Sequence, residues 1–143
     1  MHGRLATALA TALALSGCGP GGNQPARVEV ADAIVTLPAA AGRPGAAYFR
    51  LQANAAVRLT RVASPRAGQV ELHEPGMRRA ETIALARDEP VVFAPGGRHA
   101  MLFGLDPSLR PGERIALTFR FDGAPAVIVD ADVRRAGDVH GGH

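Results

Sequence analysis

Four side chains in this sequence are suited to a soft metal ion, and they come as two pairs. His99 and Met101 flank Ala100, and His73 and Met77 are separated by Glu74-Pro75-Gly76. Imidazole is a borderline donor and thioether a soft one, so the combination favours Cu(I) over harder cations. The chain has three methionines, and both of those beyond Met1 lie beside a histidine. Two His and two Met would close a four-coordinate site. The thioethers do not titrate in water, so such a site feels pH through its imidazoles, with an ordinary pKa of about 6.5. It would also hold its cation less permanently than a thiolate cluster, which suits passing the metal on.

The cysteine count narrows the chemistry. Blue-copper electron transfer needs a Cys thiolate beside two His, and the one Cys, Cys18, lies in a different context. Arg4 is followed by the apolar run Leu5 to Leu15 and then by Ser16-Gly17-Cys18. That run is too short to span a bilayer and has the length of a signal-peptide core. Leu15-Ser16-Gly17-Cys18 resembles the bacterial lipobox, in which cleavage before Cys leaves that residue to carry the lipid. The expectation is a signal peptide over 1–17, a lipidated Cys18 with a Gly- and Pro-rich tether over 18–27, and a periplasmic or extracytoplasmic protein anchored to a membrane. A single Cys permits no intrachain disulfide in that oxidising compartment.

Charge adds an exclusion. There are 16 basic and 13 acidic residues, and loss of Arg4 with the signal leaves a near balance. Every cation is Arg, with no dense cluster, so nucleic acid is not an expected partner.

The donors need a frame, and the pattern is β throughout. Strands are expected at Val28–Val30, Ala33–Leu37, Ala46–Leu51, Val57–Ala63, Val70–His73, Thr82–Ala86, Val91–Phe93, His99–Leu105, Arg114–Phe121 and Ala126–Val133, punctuated by turn signals such as Pro95-Gly96-Gly97 and Asp122-Gly123. Many short strands without a convincing helix predict an all-β sandwich or barrel spanning 28–134, with a polar tail over 135–143. Residues i and i+2 of a strand share a face, so His99 and Met101 project together. Glu71 and His73 lie on the face opposite Val70 and Leu72. In Val57–Ala63, alternation groups Val57 and Leu59 with Arg61. Both donor pairs adjoin turns, and a sandwich gathers its turns at its ends, where the four donors would meet.

On residues alone, two other classes stay open. Two His with Glu74 would make a zinc hydrolase site, although no Ser sits in a nucleophile-like context. A lipid-anchored structural or interaction β-sandwich without a metal would leave His and Met incidental.

The segment Val70-Glu71-Leu72-His73-Glu74, then Met77, then Pro95-Gly96-Gly97-Arg98-His99-Ala100-Met101-Leu102-Phe103-Gly104-Leu105 resembles the PCuAC family of periplasmic copper chaperones. The interval from Met77 to His99 matches the family spacing, and Val30-Ala31-Asp32-Ala33, Ala46-Ala47-Tyr48-Phe49 and Leu109-Arg110-Pro111-Gly112-Glu113 resemble its other strands and turn. The resemblance implies a cupredoxin-like Greek-key β-sandwich and no enzymatic activity. It also implies Cu(I) held by His73, Met77, His99 and Met101, with delivery to the copper subunit of cytochrome c oxidase or to another copper-assembly protein. The turn after His73 is shorter than the family's. The tail carries His140 and His143, which the resemblance suggests as accessory ligands, including for Cu(II).

Overall fold

The computed structural model describes residues 24–138. The expectations for 1–17, Cys18, His140 and His143 fall outside these residues. Ten strands follow in chain order: β1 (Val28–Thr36), β2 (Gly45–Ala53), β3 (Val57–Ala63), β4 (Gln69–Glu74), β5 (Arg78–Ala80), β6 (Ile83–Leu85), β7 (Val91–Phe93), β8 (His99–Phe103), β9 (Arg114–Asp122) and β10 (Val127–Arg134). The expected all-β class is what the chain adopts. The strands form one sheet in the order β5-β4-β8-β2-β1-β10-β9-β3-β6, with β7 also on β2. Among the described strands, only β1 and β10 pair in parallel. The sheet curls until β3 packs near β4, so it is nearly closed.

The core lies inside that curl. Phe49 stacks on Phe93 with ring centroids 4.3 Å apart, and Phe119 meets Phe49 edge-on at 4.8 Å. With no Trp in the chain, these three rings supply the bulk that anchors Leu51, Leu59, Leu102 and Leu117, all buried. Two bulges modify the expected pattern. The runs at Val28 and Ala33 are one strand, β1, interrupted between Ala31 and Ile34, with Asp32 at φ 55°. A second irregularity, between Leu59 and Arg61 of β3, shifts the alternation. Val62 is therefore buried beside Val57 and Leu59, and Arg61 is exposed, which corrects the strict period-2 reading.

The edge of β2 does most to position the donors. Its first half pairs with β8 (Gly45↔Leu102, Ala47↔Ala100), and its second half pairs with β7 (Phe49↔Phe93, Leu51↔Val91). Strands β7 and β8 thus run in one direction along one edge, with Ala94 to Arg98 looping out between them. Gly97 N–H donates to the Ala94 carbonyl and Ala94 N–H to the Arg98 carbonyl, both at 2.9 Å, which closes the loop tightly. Gly45, where β8 ends, admits no side chain, because a Cβ there would lie 2.7 Å from the Thr36 carbonyl oxygen.

Candidate metal centre

Strands β4 and β8 pair antiparallel, and their register sets His73 directly opposite His99 and Glu71 opposite Met101. Leu72, Ala100 and Leu102 turn into the core, so these four residues share the outward face. Three of the four expected donors, His73, His99 and Met101, therefore share a strand face at the end of the β4–β8 ladder, and Met77 does not. They do not meet among loops at the end of a sandwich. The two imidazoles stack, with centroids 5.2 Å apart and planes 20° from parallel. His73 is buried at 7% exposure, while His99 and Met101 are partly covered.

Each ring is fixed by a backbone acceptor. His99 Nδ1 donates to the Gly97 carbonyl at 3.0 Å, within the loop that precedes β8. His73 Nδ1 donates to the Met77 carbonyl at 3.2 Å, across the β4–β5 turn. In a neutral imidazole a proton on Nδ1 leaves the lone pair on Nε2. Tying one nitrogen to a carbonyl and presenting the other is the usual arrangement for metal-ligating histidines. Both rings of this face have it.

Met77 is placed differently. The β4–β5 connection is Pro75-Gly76-Met77 between the paired Glu74 and Arg78. Both Gly76 (φ 82°) and Met77 (φ 63°) are left-handed. A residue with a Cβ gives up about 1–2 kcal/mol in that conformation. Its side chain is 59% exposed at the hairpin tip, one of few large apolar groups so exposed. Thus the structure brings His73, His99 and Met101 together and leaves the Met77 thioether at the rim. Strand β5 itself went unforeseen, because Arg78-Arg79-Ala80 has no apolar alternation to announce it.

Three further groups shape the face. Glu71 Oε2 lies 3.3 Å from His73 Nε2, while its Oε1 accepts from Gln69 Nε2 at 2.9 Å and faces Arg79 at 3.7 Å. Period-2 alternation put Glu71 beside His73, but only the register reveals it opposite Met101. Arg98 Nε donates to Glu74 Oε2 at 2.8 Å, a clamp between the residues that adjoin the two histidines. Glu74 is therefore engaged by Arg98, and the carboxylate nearest the imidazoles is Glu71. Extending the β2–β8 register by one residue brings Tyr48 level with His99, and burial raises the Tyr48 phenol above its ordinary pKa. Among the described residues, no three His, Cys, Asp or Glu groups are already gathered around one point. A three- or four-donor site on this face must therefore recruit a thioether or a small side-chain movement.

The model of the LpqE-like family matches residues 28–133. The chain belongs to the LpqE-like family. No curated protein matches the sequence. Solved structures place this LpqE-like chain among PCuAC domains in fold. The copper-bound PCuAC domain from PmoF2 is 24% identical, with a TM-score of 0.68 over 76% of this chain and 92% of that one. The apo PmoF2 domain is 25% identical, with a TM-score of 0.70 over 79% and 94%. The solution structure of CuI-DR1885 from Deinococcus radiodurans is 26% identical, with a TM-score of 0.62 over 76% and 78%.

Proposed function

We propose that this protein is a copper chaperone that binds Cu(I) on the outward face of β4 and β8 through His73, His99 and Met101, with Met77 closing from the hairpin tip. The observation that carries the reading is the pair of opposed imidazoles, each held through Nδ1 by a backbone carbonyl, on the strand face that also carries Met101. Two imidazoles and a thioether suit Cu(I), which accepts low coordination numbers and soft donors. The likeness to CuI-DR1885 supports copper as the cargo. A partly open face, rather than an enclosed cage, suits release to a recipient.

The same proposal includes export and anchoring through a lipidated Cys18, for which the lipobox-like motif is the support, together with the description of the LpqE-like family as one of lipoproteins. Delivery is proposed to the copper centre of a respiratory oxidase, or to another copper-assembly protein that serves one. His140 and His143 are proposed as accessory donors. Arg134 pairs with Thr36, Thr36 with Ala46, and Ala46 with Met101. Three strand spacings of about 4.8 Å make about 14 Å, and six residue steps from Arg134 to His140 could span at most about 20 Å.

The test is a competition titration of the exported protein against a chromogenic Cu(I) chelator. One tightly bound Cu(I) per chain is expected. Failure to withdraw copper from the chelator would refute the chaperone reading. Mass measurement of the mature chain reads the anchor separately, because an acylated Cys18 at the N-terminus differs from a free one by its acyl chains. Removal of Asp138 to His143 is expected to leave Cu(I) affinity nearly intact while lowering Cu(II) uptake.

A further inference from the structure

The outward face has four corners, and only three of them belong to the Cu(I) set. One row holds the two imidazoles, His73 and His99. The other holds Glu71 and Met101, which are cross-strand partners. A hard carboxylate and a soft thioether thus stand opposite each other below a shared pair of histidines.

The atoms around Glu71 point to a cation. His73 Nδ1 donates a hydrogen bond to the Met77 carbonyl, and its Nε2 faces Glu71 Oε2 at 3.3 Å. A cation between the two atoms joins them, whether a proton on the ring or a metal in its place. The separation also suits a metal. With bonds of about 2.0 Å, two donors on neighbouring corners of a tetrahedron lie about 3.3 Å apart. The carboxylate is held for this task. Gln69 and Arg79 both engage Oε1, which leaves Oε2 toward the ring, and the side chain is only 19% exposed.

The geometry points to a second donor set on this face, in which His73, His99 and Glu71 bind a divalent first-row cation, Cu(II) or Zn(II). The two sets share the imidazoles and differ in the second row: Met101 for Cu(I), Glu71 for the divalent ion. Carboxylate oxygen is a good donor to Cu(II) and Zn(II) and a poor one to Cu(I), and thioether sulfur has the reverse preference. His73 and Glu71 already have the spacing; His99, opposite His73, would supply the third ligand by turning out of its stack and giving up its bond to the Gly97 carbonyl. This inference rests on the proposed function only in placing the metal on the same face.

The experiment compares wild type, Glu71→Gln and Glu71→Asp, all with His140→Gln and His143→Gln so that the tail contributes nothing. Zn(II) affinity is read by calorimetry, Cu(II) ligation by electron paramagnetic resonance, and Cu(I) affinity by chelator competition. Glu71→Gln is expected to weaken Zn(II) and Cu(II) by about 10- to 100-fold while changing Cu(I) affinity by less than about threefold. Glu71→Asp, which keeps the charge, is expected to recover part of the loss. Equal divalent affinity in wild type and Glu71→Gln overturns the second set while leaving the Cu(I) site standing. A parallel fall in Cu(I) affinity also overturns it, because Glu71 would then merely position His73. Absence of Cu(I) binding by wild type refutes the parent reading, and divalent binding that still depends on Glu71 would support this one alone.

Discussion

His99 and Met101 are held by a strand, whereas His73 and Met77 are joined by a turn, and the two pairs have different fates. On β8 the period of two fixes both donors on one face, and Ala100 between them is fully buried, so neither can change sides without pulling the strand from the core. Across the β4–β5 turn no such rule operates. His73 is fixed by its partner strand, but Met77 takes its direction from a left-handed backbone and stays exposed. A strand fixes both members of a donor pair; this tight turn fixes one and leaves the other exposed. At the proposed Cu(I) site that division would be useful: the trio would define the metal, and the exposed thioether would be free to leave first.

The largest effects should follow the fixed donors. His99→Ala is expected to lower Cu(I) affinity by more than about 100-fold, beyond what loss of an outer-shell partner costs, with His73→Ala similar. Next come the thioethers, and they separate the two pairs. Met101→Ala should cost about tenfold or more in the same chelator competition, and Met77→Ala about threefold, since each tenfold corresponds to about 1.4 kcal/mol. Equal losses would mean that the hairpin closes fully over the metal and that the contrast between strand and turn is wrong. The dissociation rate sharpens the comparison. Loss of Met77 should speed copper transfer to a chelator, because the last barrier to exit is removed.

Much of this arrangement was legible in the sequence because it depends on local periodicity. The strands at Val57–Ala63 and Val91–Phe93 have the expected bounds, and His99 with Met101 follows from spacing alone. What escaped depends on pairing or backbone conformation. Arg61 and Val62 exchange places because a bulge in β3 breaks the alternation, and nothing in Arg58-Leu59-Thr60-Arg61 signals an extra residue. Strand β5 exists because the turn returns the chain beside β4, not because Arg78-Arg79-Ala80 favours a strand. Glu71 was correctly placed beside His73, but its position opposite Met101 is a matter of register between segments more than twenty residues apart. Sequence reading also put both pairs at the end of a sandwich. Because β7 and β8 continue each other along β2, the loop before His99 emerges from the side of the sheet instead.

The left-handed Met77 yields a prediction in which stability and binding move oppositely. Gly relieves the steric cost of φ 63° but brings back chain entropy. Met77→Gly is expected to stabilise the metal-free fold by about 1 kcal/mol or slightly less in denaturant unfolding, while losing as much Cu(I) affinity as Met77→Ala. A Met where Gly is the easier residue points to its sulfur, since its backbone is strained and its side chain packs little. If Met77→Gly is less stable than the parent, the thioether is packing against the face rather than waiting beside it.

The smallest expected effect tests what joins the two pairs. Arg98 precedes one histidine and Glu74 follows the other, and their 2.8 Å ion pair ties the loop before β8 to the turn after β4. Both side chains are partly open to water, at 38% and 21% exposure. Such pairs contribute from nothing to about 1 kcal/mol and are weakened by salt. Its value lies in geometry: the clamp holds the ends of the two strands, and with them the spacing of the stacked rings. Glu74→Gln should therefore change unfolding free energy by less than about 1 kcal/mol and reduce Cu(I) affinity by about twofold to threefold, a difference that fades as salt rises. The double variant Glu74→Gln with Arg98→Gln should resemble either single variant if the pair acts as one unit. Additive losses would show that the two side chains act on the loop and the turn separately. The rigidity of the His–His row would then come from the β4–β8 ladder alone.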